Sequence, residues 1–148
     1  MYKNILIATD GSELADKAAS KGLALAQAVD ASVKILTVTE PLSDSEIAAQ
    51  MEAGHGQAVE TYNTLAEDKA KNILSAVASK AKNMDLICKT IHVPARHPAE
   101  AIIASANTNE CDLIVMASHG RRGFKRLLLG SVANEVITHS TVPVLVFR

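Results

Sequence analysis

The sequence predicts an α/β fold: a single-domain, open, parallel five-stranded sheet in the order 3-2-1-4-5, with helices on both faces. Three observations carry this reading. Short strand-like segments alternate with helical periodicity along the whole chain, the pattern of parallel strands joined by crossover helices. Ile5–Ala8 and Leu113–Ala117 are unbroken apolar runs, as expected of central strands buried on both faces. The third strand carries Lys89 and His92, and the fifth carries Pro143, which cannot donate to a ladder and belongs at an edge.

The elements follow in order. Ile5–Ala8 ends in Thr9-Asp10-Gly11-Ser12, a strand closed by a turn. Ser12 is the expected N-cap of a helix running to about Val29, with Glu13 and Asp16 at its positive end. Leu14, Ala18, Leu23, Ala26 and Val29 set its apolar stripe, Gly22 permits close packing, and Asp30 ends it. Val33–Val38 is the second strand, stopped by Glu40-Pro41. Ser43 and Glu46 form a capping-box pattern that opens a short helical piece, interrupted by Gly54-His55-Gly56, and residues 41–56, the least regular stretch, are expected as a mobile flap.

A long helix is predicted from about Gln57 to Lys82, with Val59, Tyr62, Leu65, Ile73, Leu74 and Val77 as its apolar positions. Leu86–Val93 is the third strand. Pro98 opens the next helix at its first position, with Glu100 in the first turn. Leu113–Ala117 leads into Ser118-His119-Gly120-Arg121-Arg122-Gly123, a Gly and Arg loop. The last helix follows Gly130-Ser131 and ends near His139, and Thr141–Phe147 is the fifth strand.

Composition bounds the function. A chain of 148 residues has the length of one domain, assigned here to residues 1–148, and can build a core without disulfides or metal. With 48% hydrophobic residues it is too apolar for a disordered chain. A net charge of -1 argues against a surface that grips nucleic acid or anionic membrane as a whole. The apolar runs are far shorter than the ~20 residues a membrane span needs. Charge and turn residues (Asp10, Gly11, Glu13, Asp16) interrupt any secretory signal. Cys88 and Cys111 lack metal or redox spacing and read as buried core thiols, too far apart in this strand order to pair. Together these features predict the cytoplasm.

In this strand order the switch point lies between strands one and four, and ligands of open α/β sheets bind at the carboxyl ends of strands there. Two loops meet at that point: Thr9-Asp10-Gly11-Ser12, and the loop after Ala117. The second ends at Gly130-Ser131, where a helix N-terminus, a hydroxyl and a glycine that admits close approach make an anion site. His119, Arg121, Arg122, Lys125 and Arg126 add positive charge. Only Phe124 interleaves with them, so stacking on nucleic-acid bases is poorly supported. No Walker GxxxxGK[ST] is present, and Gly54-His55-Gly56 follows no strand. His92 and His97 read as surface residues rather than metal ligands. Ser118-His119 has no GxSxG elbow to make it a hydrolase nucleophile.

Lys3-Asn4-Ile5-Leu6-Ile7-Ala8-Thr9-Asp10-Gly11-Ser12 resembles the opening of universal stress proteins. Gly120-x9-Gly130-Ser131, with Val142-Pro143-Val144-Leu145-Val146, resembles their closing segment. ATP-binding members carry Gly-x2-Gly-x9-Gly-Ser/Thr. Here Ala117 stands at the first glycine, a change that is cheap in extended backbone and costs about 1 kcal/mol or more at positive φ. The resemblance implies an adenine nucleotide alpha hydrolase-like fold that binds ATP with Mg2+. Thr9 would be among the nucleotide-binding residues, Asp10 would sit by the adenine or ribose and Val38 would meet the adenine through its backbone. Ala117 and Gly120 would line the ribose and phosphates, and Gly130, Ser131 and Val132 would hold the phosphates. It further implies a regulatory or sensor role with at most slow hydrolysis. The alternatives are a nucleotide-free dimeric stress scaffold and a binder of AMP or cyclic AMP. The fifth strand, apolar on both faces at an edge, predicts a homodimer through Thr141 to Arg148.

Overall fold

The computed structural model describes residues 1–121 and 128–148. The elements are β1 (Asn4–Ala8), α1 (Glu13–Val29), β2 (Ser32–Thr39), α2 (Asp44–Glu52), α3 (Gly56–Asn83) and β3 (Cys88–Pro94). After them come α4 (Pro98–Thr108), β4 (Leu113–Ala117), α5 (Ser131–His139) and β5 (Val144–Phe147). The strands form one parallel sheet in the order β3-β2-β1-β4-β5, as the apolar runs and edge markers predict.

Period-two alternation divides the core into two layers. Ile5, Ile7, Val33, Ile35, Leu113 and Val115 face α1 and α3, meeting Leu23, Ala26, Leu74 and Val77. Leu6, Leu36, Ile114 and Met116 face α4 and α5, meeting Ala99, Ile102, Ala133 and Val136. Ile5, Leu6 and Ile7 are wholly buried. Each such side chain stabilises the fold by roughly 1.5–3 kcal/mol, and truncating one to Ala would cost about 2–5 kcal/mol. Helix α1 lies close on the sheet because position 22 is glycine: a Cβ there would come 3.0 Å from Ile7 Cδ1 and from Val115 Cγ1. This packing sets the height of the β1–α1 turn above the sheet.

Several boundaries differ from the sequence reading. Within residues 41–56 the short helical piece expected after Ser43 is present. Ser43 and Glu46 complete a reciprocal capping box, and α2 follows as a regular helix with none of its residues buried. Helix α3 outruns the sheet, so its buried positions, Ala70, Leu74, Val77 and Ala81, lie in its second half. Tyr62 and Leu65, expected in the core, are therefore exposed, and the Tyr62 hydroxyl donates to the Glu40 carbonyl instead. Strand β3 starts at Cys88 rather than Leu86. Strand β5 starts at Val144 rather than Thr141, because Ser140 first closes its own turn with Val142.

Both cysteines are free, Cys111 buried and Cys88 only half-buried, and burial pushes both thiols above their ordinary pKa. Among the described residues no helix is long and apolar enough to cross a membrane.

Candidate functional site

The strand order reverses between β1 and β4, and the turns leaving these two strands are tied together. Thr9 continues the line of β1: its N–H donates to the Leu36 carbonyl at 2.9 Å, and its hydroxyl accepts from Gly11 N–H at 3.2 Å. The chain then turns through Gly11 at φ +76, a conformation that glycine adopts without penalty. Ile73 of α3 fills the space a side chain would need there, 2.8 Å from an ideal Cβ. Asp10 closes the turn, with Oδ1 accepting from Ser12 N–H at 2.9 Å. Its other oxygen, Oδ2, crosses to the second loop and accepts Arg121 N–H at 2.9 Å.

The second loop begins from a strand, which settles the place of Ala117. Ala117 pairs with Phe147 in the sheet, so its backbone is extended and its methyl packs beside Ala15 and Ala18. No positive φ is demanded of it, and alanine replaces glycine there without strain. Ser118 N–H donates to the Phe147 carbonyl at 2.7 Å, and the Ser118 carbonyl accepts Gly130 N–H at 2.8 Å. One residue thus anchors both the start of the loop and its return. The Ser118 hydroxyl and His119 Nδ1 lie 3.0 Å apart.

Two glycines are fixed by space. A Cβ on Gly120 would lie 2.6 Å from Asp10 Oδ2, and one on Gly130 would lie 2.8 Å from the Ser118 carbonyl oxygen. Gly130 is the N-cap of α5 and offers no side chain to its amides, and the first turn holds no acidic residue. Ser131 is therefore the first helical residue rather than the cap, with its hydroxyl exposed. The first amides of a helix have no partner within it, so α5 presents Ser131, Val132 and Ala133 N–H groups at its positive end.

Val38 stands on the neighbouring strand. Pairing between β1 and β2 stops at Ala8 and Leu36, while Thr39 turns its carbonyl the other way, to Ala95. Strand alternation therefore aims the Val38 N–H and C=O over the β1 turn.

The structure joins Asp10 to the Gly120–Arg121 backbone and Gly130 to Ser118, the residue after Ala117; Thr9 precedes Asp10, Ser131 and Val132 follow Gly130, and Val38 stands on the neighbouring strand. The Arg121 backbone N–H, Ile73 and Ser118 also belong to the site. Their parts rest on contacts between segments remote in the chain, which carry no local signal. Arg122, Gly123, Phe124, Lys125 and Arg126 of the basic loop lie outside the described residues.

Elsewhere, His92 Nε2 is 2.7 Å from Thr39 Oγ1. Among the described residues no group of His, Cys, Asp and Glu could hold a metal ion. An open groove of about 410 Å³ lies between α4 and α5, lined by Glu100, Ile103, Ala104, Asn107, Glu135 and His139. Its two carboxylates suit a phosphate poorly, and it contains none of the predicted site residues.

The family model for the universal stress protein family matches residues 1–148. The chain belongs to the universal stress protein family. Among its relatives, universal stress protein YxiE of Bacillus subtilis is 31% identical over 150 residues, covering 100% of both chains. The solved structure of the MJ0577 protein superposes with a TM-score of 0.76 at 35% identity, covering 99% of this chain and 95% of that one; the MJ0577 universal stress protein comes from Methanocaldococcus jannaschii. A universal stress protein solved in complex with cAMP superposes with a TM-score of 0.71 at 26% identity, covering 99% of this chain and 97% of that one.

Proposed function

We propose that residues 1–148 form a universal stress domain that binds ATP and works as a homodimeric nucleotide sensor or regulatory module in the cytoplasm. The observation that carries this reading is that the loop leading to the α5 N-terminus, where no N-cap side chain accepts from the first amides, is tied to the Asp10 turn at the sheet's switch point, through a backbone contact at Gly120–Arg121 too close for a side chain on Gly120. The cAMP-bound relative supports an adenine nucleotide as the ligand.

In this reading the phosphates lie on the Ser131 and Val132 amides and the Ser131 hydroxyl. Gly130 contributes no donor, since its own N–H is taken by the Ser118 carbonyl. Thr9 and Asp10 border the base and ribose, the Val38 backbone meets the adenine edge, and Ala117 and Gly120 line the ribose and phosphate path. A Mg2+ ion would neutralise phosphate charge. The first turn of α5 has no carboxylate, and both Asp10 oxygens already accept backbone N–H groups, so phosphate oxygens and water would hold the ion. His119 Nδ1 is engaged by the Ser118 hydroxyl, and any hydrolysis is expected to be slow.

Strand β5 is outermost, with Val144 and Val146 packed on one layer and Leu145 and Phe147 on the other. A two-fold copy pairing there, through Thr141 to Arg148, would cover this edge.

Denaturing the purified protein and assaying released nucleotide tests occupancy. Calorimetry with ATP and Mg2+ should show saturable heat, and no saturation at millimolar ATP overturns the reading. The cAMP-bound relative favours one second reading, a binder of AMP or cyclic AMP, which the same titration with those ligands separates. Light scattering should give a dimer that Val144→Lys or Val146→Lys weakens; a monomer mass at micromolar concentration overturns the dimer.

A further inference from the structure

We infer that Asp10 serves this site as a positioning residue, a latch that holds the second loop on the first turn at the Gly120–Arg121 backbone. The inference rests on the nucleotide reading for its consequence but not for its geometry.

Asp10 and Arg121 are 111 residues apart in the chain, yet the carboxylate bridges them: Oδ1 takes Ser12 N–H and Oδ2 takes Arg121 N–H, each at 2.9 Å. Both are hydrogen bonds to a charged acceptor, the stronger class, and both donors are backbone, so they fix main chain rather than a mobile side chain. The latch also explains Gly120. Its φ is not in the left-handed region, so conformational freedom does not demand glycine there. Space does, because a Cβ would lie 2.6 Å from the latching oxygen. Asp10 and Gly120 are therefore one device: the carboxylate approaches the loop only because the loop has no side chain at that point. The loop is thus held at Gly120–Arg121 by Asp10 and at Gly130 by the Ser118 carbonyl.

Hydrogen exchange on the nucleotide-free protein reads the latch directly. The Ser12 and Arg121 amides should be protected in the unmodified chain. Asp10→Ala should speed both by on the order of tenfold or more. Asp10→Asn keeps the shape but sets an amide NH2 against one N–H donor, so one of the two amides should lose protection. Gly120→Ala should free the Arg121 amide in the unmodified background and add nothing in the Asp10→Ala background, where the obstructing oxygen is gone. ATP titrations of the unmodified chain, Asp10→Ala, Gly120→Ala and the double variant should show the same non-additivity, the double variant binding no more weakly than the weaker single one.

Unchanged Arg121 exchange in Asp10→Ala, or independent additive effects of the two substitutions, would overturn the latch. If the unmodified protein fails to bind ATP, the nucleotide reading falls, while exchange in the free protein still decides whether the latch exists.

Discussion

Helices α1 and α5 both begin at the carboxyl end of the sheet, one behind β1 and one behind β4, on the two sides of the switch point. Their first turns are built in opposite ways. At α1 the Ser12 hydroxyl accepts Ala15 N–H, and Glu13 and Asp16 place negative charge against the positive end of the helix. At α5 the cap is Gly130, no side chain among the described residues accepts from the first amides, and no acid stands in the first turn. At α1 a side chain meets one of the orphan amides and the acids disfavour an anion; the α5 terminus has neither. In the proposed reading the phosphates go to the α5 terminus and not to that of α1, and a few side chains decide between them.

The largest break in this contrast comes from filling the room at α5. Gly130→Val puts branched carbon against the Ser118 carbonyl, already only 2.8 Å from an ideal Cβ. The loop must move, and several charge-assisted phosphate contacts go with it, each worth roughly 1.5–3 kcal/mol. ATP affinity should fall by about a hundredfold or more, measured by calorimetry.

A gentler change converts α5 into a copy of α1. Ser131→Asp places a carboxylate in the first turn, at an exposed position. The helix should gain about 0.3–1 kcal/mol from its dipole while phosphate meets a like charge. ATP binding should weaken by roughly tenfold with the melting temperature unchanged or slightly raised. A variant that loses stability and affinity together would show that the two termini do not differ in the way described.

The reverse test acts on α1. Ser12→Ala removes the oxygen that accepts Ala15 N–H at 3.3 Å but keeps the Ser12 N–H that binds Asp10. Stability should drop by about 1 kcal/mol in urea unfolding, with ATP affinity nearly unchanged.

How much of this was legible without coordinates follows from range. The strand order could be read because burial on both faces leaves a chemical trace: Ile5–Ala8 and Leu113–Ala117 are wholly apolar, while Lys89, His92 and Pro143 mark edges. The loops at the switch point follow from that order. The α1 cap and the α2 capping box are local and were readable as Ser12 and Ser43-x-x-Glu46. What local pattern could not reveal was the extent of support. Helix α3 has one apolar stripe throughout, but the sheet reaches only its second half, so Tyr62 and Leu65 stand in solvent. The Asp10–Arg121 bridge was equally hidden, since Asp10 reads as an ordinary turn residue until the second loop is folded beside it.

The smallest effect sharpens the contrast at α1 itself. The hydrogen bond from Lys17 and then its charge hold the Glu13 carboxyl below the ordinary carboxylate range. Folding thus favours the ionised form. The sign follows: this contribution to stability is present above the unfolded carboxylate pKa and is lost as pH falls through the lower folded-state value. Glu13 is fully exposed, so water and salt screen the pair, and denaturation curves will not resolve it. Lys17→Gln should move the Glu13 carboxyl back toward its ordinary pKa in an NMR titration, leaving ATP binding unchanged. If that titration does not move, Lys17 is not what lowers Glu13, and the acidic first turn of α1 owes its ionisation to the helix terminus alone.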